Sequence, residues 1–441
     1  MVRLDSGQDR EEEYTSIFLD AWLTAKGQAL RALAEHLFAA IQSAPSGRMR
    51  SPRRDAMERK RFVVQNIAAN LAHLALSPSH MPGNVLAIST AKTKPTRYER
   101  ADYPRRILGK TLRELEASGF LIRHAYRFKQ TTTTVEPTRK FRGLLDRHGV
   151  RFADIGRDAG GETILLRARQ PQEGRGDVRR RDRPPPKRLI HYADTEETMR
   201  LRAEVDTVNE MLNAAEIEYD GEPVGPIRLY RSFLLRSPED PIAFNLLGRL
   251  WGGFWQTLDS KLRHRITIGG EDVADLDFSA MHPSMAYLKA TGRLPDGDPY
   301  AIPGLEKHRD GAKQAMASLL SRAGPMRLLV PKLKAKLPEG WTAKRLVQAA
   351  GSRHPVIAHL FGSDCGVELM ALESRILMAV LLDLAARGIP SLPLHDGIQT
   401  RVSDKERALE AMRTASEQIL GVALAVGEKP IWRPPALAEA A

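Results

Sequence analysis

Residues 273–285 read VADLDFSAMHPSM, and residues 391–402 read SLPLHDGIQTRV. In the first stretch a strand pattern ends at Asp277, and a turn and a helix follow; this is a common way to aim a carboxylate at a metal ion. The second stretch predicts two short strands that meet at His395-Asp396-Gly397, although Asp-Gly is also an ordinary tight hairpin turn. Each stretch thus predicts an acidic side chain at the end of a short strand, and the fold class expected for the chain is α+β with an antiparallel sheet.

The composition excludes several classes of protein. The chain has 441 residues, 42% of them hydrophobic and 27% charged, which favours a globular protein of two or three domains. No apolar run approaches the roughly 18 residues that a membrane helix needs, so we expect no membrane role. The N-terminal residues lack the layout of a secretory signal, and the single cysteine, Cys365, allows neither an internal disulfide nor a thiolate zinc cluster. These features predict a reducing, cytoplasmic location.

The net charge of +13 is concentrated in the first part of the chain. Residues 1–187 hold 36 Lys and Arg against 21 Asp and Glu, whereas residues 188–441 hold 31 against 33. Because Lys and Arg supply most of the sequence-independent affinity for phosphate backbones, the first part is the expected nucleic-acid binder. A basic surface that only aids solubility is the alternative.

Hydrophobic spacing divides the basic region into elements. It predicts helices over residues 11–43 and about 54–76, and a short strand over residues 84–89. An amphipathic helix is expected over residues 105–118, and Gly119 is placed to end it. Two runs rich in β-branched and aromatic residues, 120–128 and 131–135, then predict a hairpin.

This order of a helix, a glycine and a basic hairpin resembles a winged-helix DNA-binding domain over roughly residues 84–140. The resemblance implies that the helix enters the major groove while basic side chains contact phosphates. A structural helix and hairpin in a basic domain is the alternative. The candidate DNA-binding residues are Arg105, Arg106, Lys110 and Arg113 on the helix and Arg123, Arg127 and Lys129 on the wing.

The domain boundary is expected at residues 170–187, which combine Pro, Gly and a basic run typical of an extended linker. The predicted organisation is a basic, mainly helical region over residues 1–169, this linker, and one α+β domain over residues 188–441.

Four short motifs of the second domain, taken in order, resemble the palm and fingers motifs of family A DNA polymerases and the related single-subunit phage-type RNA polymerases. The motifs are Gly248-Arg249-Leu250, Asp277-Phe278-Ser279, Arg309 with Lys313 four residues on, and His395-Asp396. The resemblance covers roughly residues 228–402 and implies a compact palm-and-fingers domain. It further implies a nucleotidyltransferase that uses a DNA template and nucleoside triphosphates.

The resemblance also implies the catalytic roles. Asp277 and Asp396 would hold two Mg²⁺ ions about 4 Å apart, with Mn²⁺ as an alternative. The backbone carbonyl of Phe278 would complete one metal shell, since Mg²⁺ prefers oxygen ligands. Arg309 and Lys313 share one helix face, which the family assigns to the triphosphate, and Lys313 could protonate the leaving pyrophosphate. Outside this context, the two cations would be an ordinary solvated helix face.

Further roles concern the nucleic acid and the sugar. The resemblance places Arg249 against the primer–template and His395 near the primer terminus. His282, five residues after Asp277, is the candidate for sugar selection. Glu373, on a long apolar helix predicted over residues 366–387, would line the site toward the template, and a surface-facing glutamate is the alternative.

Departures from the family pattern leave the product open. The predicted fingers helix lacks the aromatic residue and the Tyr-Gly pair that usually follow the lysine, and the small Gly397 after Asp396 favours the RNA polymerases. The expected activity is a DNA polymerase for a plasmid, phage or mobile element, without proofreading. The alternatives are a primer-independent RNA polymerase or primase, an inactive DNA-binding replication initiator or regulator, and an unrelated α+β domain with coincidental motifs.

Overall fold

The computed structural model describes residues 17–43, 53–76, 85–89, 96–124, 133–170 and 187–433. Over these residues the chain is a mixed α+β protein with mainly antiparallel sheets, and this part of the expected fold class is confirmed. In the same ranges, no helix combines the length and the apolar character needed to cross a membrane.

The elements are numbered along the chain. The helices are α1 (Gln28–Ser43), α2 (Arg54–Leu76), α3 (Arg105–Ala117), α4 (Arg139–His148), α5 (Glu196–Ala214), α6 (Met281–Thr291), α7 (Arg309–Ser321), α8 (Pro331–Lys334), α9 (Ala343–Arg353), α10 (Gly366–Ala386) and α11 (Lys405–Leu420). The strands are β1 (Ile17–Phe18), β2 (Leu23–Ala25), β3 (Leu86–Ile88), β4 (Leu121–His124), β5 (Thr133–Pro137), β6 (Ile155–Arg157), β7 (Ile164–Arg169), β8 (Lys187–Leu189), β9 (Ile217–Tyr219), β10 (Glu222–Pro223), β11 (Tyr230–Leu235), β12 (Leu247–Trp251), β13 (Ile266–Ile268), β14 (Glu271–Phe278), β15 (Ser391–Leu394), β16 (Gly397–Arg401) and β17 (Val426–Lys429).

The chain forms two compact units. Unit 1 comprises residues 1–162, 217–227 and 257–259, and unit 2 comprises residues 163–216, 228–256 and 260–441. Strand β7 belongs to unit 2 because it pairs in parallel with β11 and buries Ile164, Leu166 and Ala168. The sequence assigns this strand to the first region. Of the predicted linker at 170–187, residues 171–186 lie outside the described part of the chain.

In unit 1, a four-stranded sheet in the order β1-β3-β5-β4 accompanies helices α1 to α4. Helices α2 and α3 agree with the predicted bounds, and Gly119 follows α3 in the left-handed region at φ 75°. Leu108, Leu112 and Leu115 of α3 are buried in the apolar core of this unit. The predicted hairpin is present as β4 and β5, which pair from Leu121↔Pro137 to His124↔Thr134.

The helix predicted over residues 11–43 is wrong for residues 17–27, where the chain forms β1 and β2 instead. The buried side-chain amide of Asn66 donates to the carbonyls of Asp20 (2.9 Å) and Leu23 (2.8 Å). Strand β2 also pairs with β6. These bonds use backbone groups that a continuous helix would have needed, so tertiary contacts override the local apolar pattern.

Unit 2 contains the sheet of interest, in which β14 has partners on both edges. One edge pairs with β16, which in turn pairs with β15; the other edge pairs with β13 and then β17. Leu276, Leu392 and Ile398 of this sheet are fully buried. The long apolar helix α10 packs against β12, β15, α5, α6, α7 and α11 and so forms the centre of the unit. A second sheet has the order β12-β11-β7-β8.

Candidate functional site

The register of β14 and β16 brings together the two aspartates singled out in the sequence. Asp277 lies opposite Gly397, and the amide of Phe278 donates to the carbonyl of Asp396 at 3.2 Å. Gly397 is required here, because a Cβ atom at this position would lie 2.4 Å from the carbonyl oxygen of Leu276 and 3.0 Å from Oδ1 of Asp277. The glycine after Asp396 is therefore explained by the close approach of two strands.

This register places the carboxyl groups of Asp277 and Asp396 close enough for the charge of one to act on the other. Burial, and next the charge of Asp396, raise the pKa of Asp277 to about 7. The Lys429 ammonium opposes this rise through an ion pair with Oδ2 of Asp277. The two aspartates thus concentrate negative charge on a half-buried surface of the sheet, and Lys429 balances part of it. Such an arrangement is suited to binding cations.

Lys429 is a member of the site that sequence reasoning missed. It lies on β17 opposite Asp275, while Gly427 of the same strand lies opposite Asp277. Asp275 and Asp277 are two residues apart on β14 and so share one face of the sheet. No motif marked β17, because its importance comes only from its pairing with β14.

Arg249, His282 and Glu373, each singled out separately, form one network. Glu373 is 1% exposed and accepts two bonds from Arg249, Nε–Oε1 at 2.6 Å and Nη2–Oε2 at 2.7 Å. Nε2 of His282 lies 2.6 Å from Oε2 of the same carboxylate. Burial alone would raise the pKa of Glu373. The hydrogen bonds from His282 and Arg249 outweigh this effect and lower the pKa to about 2. Glu373 therefore positions two other side chains, and its burial rules out the surface-facing alternative.

The backbone beside Arg249 is held by α10 as well. Gly248 has φ 85°, and its carbonyl accepts from Nε of Arg231 at 3.0 Å and from the hydroxyl of Ser374. Arg231 is 3% exposed, so these bonds are shielded from water. The pair Glu373-Ser374, two polar residues on an otherwise apolar helix, thus fixes β12 next to the aspartates.

His395 lies in the turn between β15 and β16, in the left-handed region at φ 51°. Its ring contacts Trp251 edge to face, with 5.4 Å between ring centroids. Its Nδ1 is buried and has no hydrogen-bond partner among the described residues. Burial, and next the charge of Arg249, lower the pKa of His395, so its ring is neutral at pH 7.

The two cations of α7 both lie close to one aromatic ring. The Arg309 guanidinium is 5.1 Å and the Lys313 ammonium 5.7 Å from the ring centroid of Tyr300. Arg309 also pairs with Asp298, Nε–Oδ2 at 2.9 Å, whereas Lys313 forms no ion pair with a described residue. Burial, and next the charge of Asp396, raise the pKa of Tyr300 to about 12. Tyr300, which sequence reasoning missed, therefore lies close to both cations of α7, and the charge of Asp396 acts on its hydroxyl group.

Phe278 ends β14 and is 2% exposed, so its side chain belongs to the buried core of the unit. Among the described residues, no cluster of three or more His, Cys, Asp and Glu side chains could hold a metal ion. Two carboxylates nevertheless fit Mg²⁺, which usually keeps several waters and binds through one or two carboxylates together with substrate phosphates.

The basic helix of unit 1 has both paired and unpaired cations. Arg105 pairs with Glu99 at 2.8 Å, Lys110 with Glu114 at 3.5 Å, and Arg123 with Glu116 at 3.0 Å. Arg106 and Arg113 are exposed, and neither forms an ion pair with a residue that the structure describes. Arg127 and Lys129, on the expected wing, lie outside the described residues.

Comparisons with known proteins give no relative for this chain. No protein-family model matches it, and a search of curated proteins returns no match.

Proposed function

We propose that unit 2 is a template-directed nucleotidyltransferase. The observation that carries the proposal is the proximity of Asp277 and Asp396, which two adjacent strands impose on a half-buried surface. Two like charges held this close repel each other unless a proton or a cation compensates them, and a carboxylate pair is the protein part of a two-metal site. The arrangement supports the resemblance to family A DNA polymerases and single-subunit RNA polymerases, with a palm-and-fingers architecture.

The chain's own residues take the following roles. Asp277 and Asp396 would hold Mg²⁺ or Mn²⁺, with the backbone carbonyl of Phe278 as a third oxygen. When bound, the cations supply charge that favours ionisation of a 3′-hydroxyl and departure of pyrophosphate. Lys313 and Arg309 bind the triphosphate, and Lys313, which forms no competing ion pair with a described residue, is the candidate proton donor to pyrophosphate.

The network around Glu373 positions the remaining groups. Arg249 contacts the primer–template beside the aspartates, and His282 lies where the sugar of the incoming nucleotide is selected. Because Glu373 fixes both side chains through short bonds, it contributes to catalysis without touching the template. His395, adjacent to Asp396, contacts the primer terminus.

We propose that unit 1 binds duplex DNA as a winged helix. The sheet order β3-β5-β4, with α3 directly before β4, is the arrangement of that fold, and it supports major-groove insertion of α3. Arg106 and Arg113 form no ion pair with a described residue and are therefore the strongest phosphate contacts, because Arg105 and Lys110 each have a carboxylate partner. A DNA-binding unit joined to a polymerase suits replication of a plasmid, phage or mobile element.

Primer extension by the full chain tests the enzymatic proposal. With Mg²⁺ and a primed template, the wild type should extend the primer, while Asp277→Asn and Asp396→Asn should each abolish extension. Asp383→Asn, an exposed carboxylate on α10 that pairs with Arg387, is the matched control and should remain active. Comparing dNTPs with NTPs, with and without primer, separates a DNA polymerase from a primase. DNA binding by a wild type that extends nothing would leave the initiator or regulator as the function.

A further inference from the structure

Trp251 is an exposed indole held rigidly at the edge of the candidate site. It is 39% exposed, whereas Trp255, four residues later, is fully buried and donates to the carbonyl of Pro393 at 2.8 Å. Gly252, Gly253 and Phe254 separate the two tryptophans. Gly252 has φ 109°, and a Cβ atom there would lie 2.3 Å from the carbonyl oxygen of Arg228. The backbone therefore turns tightly directly after Trp251, and this turn fixes one indole outside and the other inside.

The strand context orients Trp251 toward the reacting groups. It lies opposite Tyr230 of β11 and two residues from Arg249, so Trp251 and Arg249 share one face of β12. The ring of Trp251 also contacts His395, and the next residue in the chain is Asp396. The indole thus contacts the residue that precedes Asp396 and lies on the same face of β12 as Arg249.

The ring of His395 also carries a polar atom without a partner among the described residues. Nδ1 of His395 is buried without a hydrogen bond to any described residue. A buried polar atom left unpaired is unfavourable, so a ligand that supplies a hydrogen bond there gains affinity. A ligand with a flat apolar face for Trp251, a polar edge for His395 and negative charge near Arg249 has the chemistry of a nucleotide within a strand.

We propose that Trp251 is a stacking residue for the terminal base of the strand whose 3′ end lies at Asp277 and Asp396. This inference rests on the proposed nucleotidyl-transfer function and adds a base-binding residue to it. The stacking is independent of base identity, because every base has a π-face.

The experiment uses the full chain and a primer–template with 2-aminopurine at the primer 3′ end, in a buffer without divalent ions. The wild type and Trp251→Phe should change the 2-aminopurine fluorescence on binding, and Trp251→Ala should not. Trp432→Ala is the matched control, because Trp432 is 46% exposed in the same unit and contacts a different histidine, His264. The local probe excludes any signal from DNA held by unit 1.

Steady-state extension gives a second readout. Stacking contributes about 1–3 kcal/mol per base, so Trp251→Ala should raise the KM for primer–template about tenfold, with kcat within about twofold. Trp251→Phe should stay within about threefold of the wild type. Unchanged fluorescence response and KM in Trp251→Ala would overturn the stacking proposal while leaving the polymerase proposal intact. A wild type that neither extends primers nor changes the fluorescence would overturn the nucleotidyl-transfer function itself.

Discussion

Glu373 and Arg249, 124 residues apart in the chain, form a two-bond ion pair with distances of 2.6 and 2.7 Å. The carboxylate is 1% exposed, and it lies on α10, while the guanidinium lies on β12. Because the same carboxylate contacts His282 on α6, it ties three elements together around the aspartate pair.

Replacing Glu373 with Gln should therefore lower the free energy of unfolding. The change removes the negative charge that compensates Arg249 and leaves a buried network partly unpaired, so we expect a loss of about 2–3 kcal/mol in the free energy of unfolding. Urea unfolding measures it. Glu368→Gln, on the same helix but at a side chain 38% exposed, is the control and should cost less than about 1 kcal/mol. Equal losses in both variants would contradict the central position of Glu373.

Gly397→Ala should disturb the aspartate pair. The new Cβ atom would lie 2.4 Å from the carbonyl oxygen of Leu276, so β14 and β16 must separate locally. We expect a loss of about 2–3 kcal/mol in the free energy of unfolding and a large drop in primer extension. Gly427 lies opposite Asp277 on the other edge of β14 and has no atom within 4 Å of its Cβ position. Gly427→Ala should accordingly be close to neutral, and a similar loss in both variants would rule out the steric explanation.

Lys429→Met should strengthen binding of a divalent cation. The ammonium of Lys429 pairs with Asp277 and competes with a metal ion for that carboxylate. Because the lysine is half exposed and screened by water, we expect a modest effect, about three- to tenfold tighter Mn²⁺ binding in calorimetry. Lys405→Met is the control, since Lys405 pairs with Glu428 on the same strand and not with an aspartate of the site. Weaker Mn²⁺ binding in Lys429→Met would show that the lysine supports the metal instead.

Unit 1 should lose stability in acid through His73. Burial lowers the pKa of His73 from 6.5 to about 4, against the opposing charge of Asp20. Below pH 6.5 the unfolded chain takes up a proton that the folded chain does not. The stability that neutral His73 contributes is therefore complete above pH 6.5 and is lost as the pH falls toward 4. The loss should reach about 2 kcal/mol at pH 5, measured by urea unfolding. His73→Leu should flatten this part of the pH dependence, and an unchanged slope would contradict the assignment.

The local sequence pattern was sufficient to predict those elements whose structure depends mainly on residues nearby in the chain. Helix α3, the end of α3 at Gly119 and the turn at His395-Asp396 all appear where the sequence predicts them. Residues 17–27 do not, because Asn66 binds their carbonyls from another helix, and a hydrogen bond between residues about 45 positions apart leaves no local periodicity.

The candidate site shows the same division. Asp277, Asp396, Arg309 and Lys313 were accessible from motif order, since each lies in a short recognisable segment. Lys429 and Tyr300 were not, because β17 becomes relevant only by pairing with β14, and a tyrosine in a turn gives no sign of which cations it will contact. The burial of Glu373 likewise depends on how α10 packs.

Strand β14 has hydrogen-bonded neighbours on both edges. Backbone amides in such a position exchange with solvent only when a large cooperative part of the unit opens. The amides of residues 273–278 should accordingly be among the slowest of unit 2 to take up deuterium, with or without a nucleotide. The acidic pair is thus set in place by folding itself, and any adjustment to an arriving substrate has to come from the elements around it.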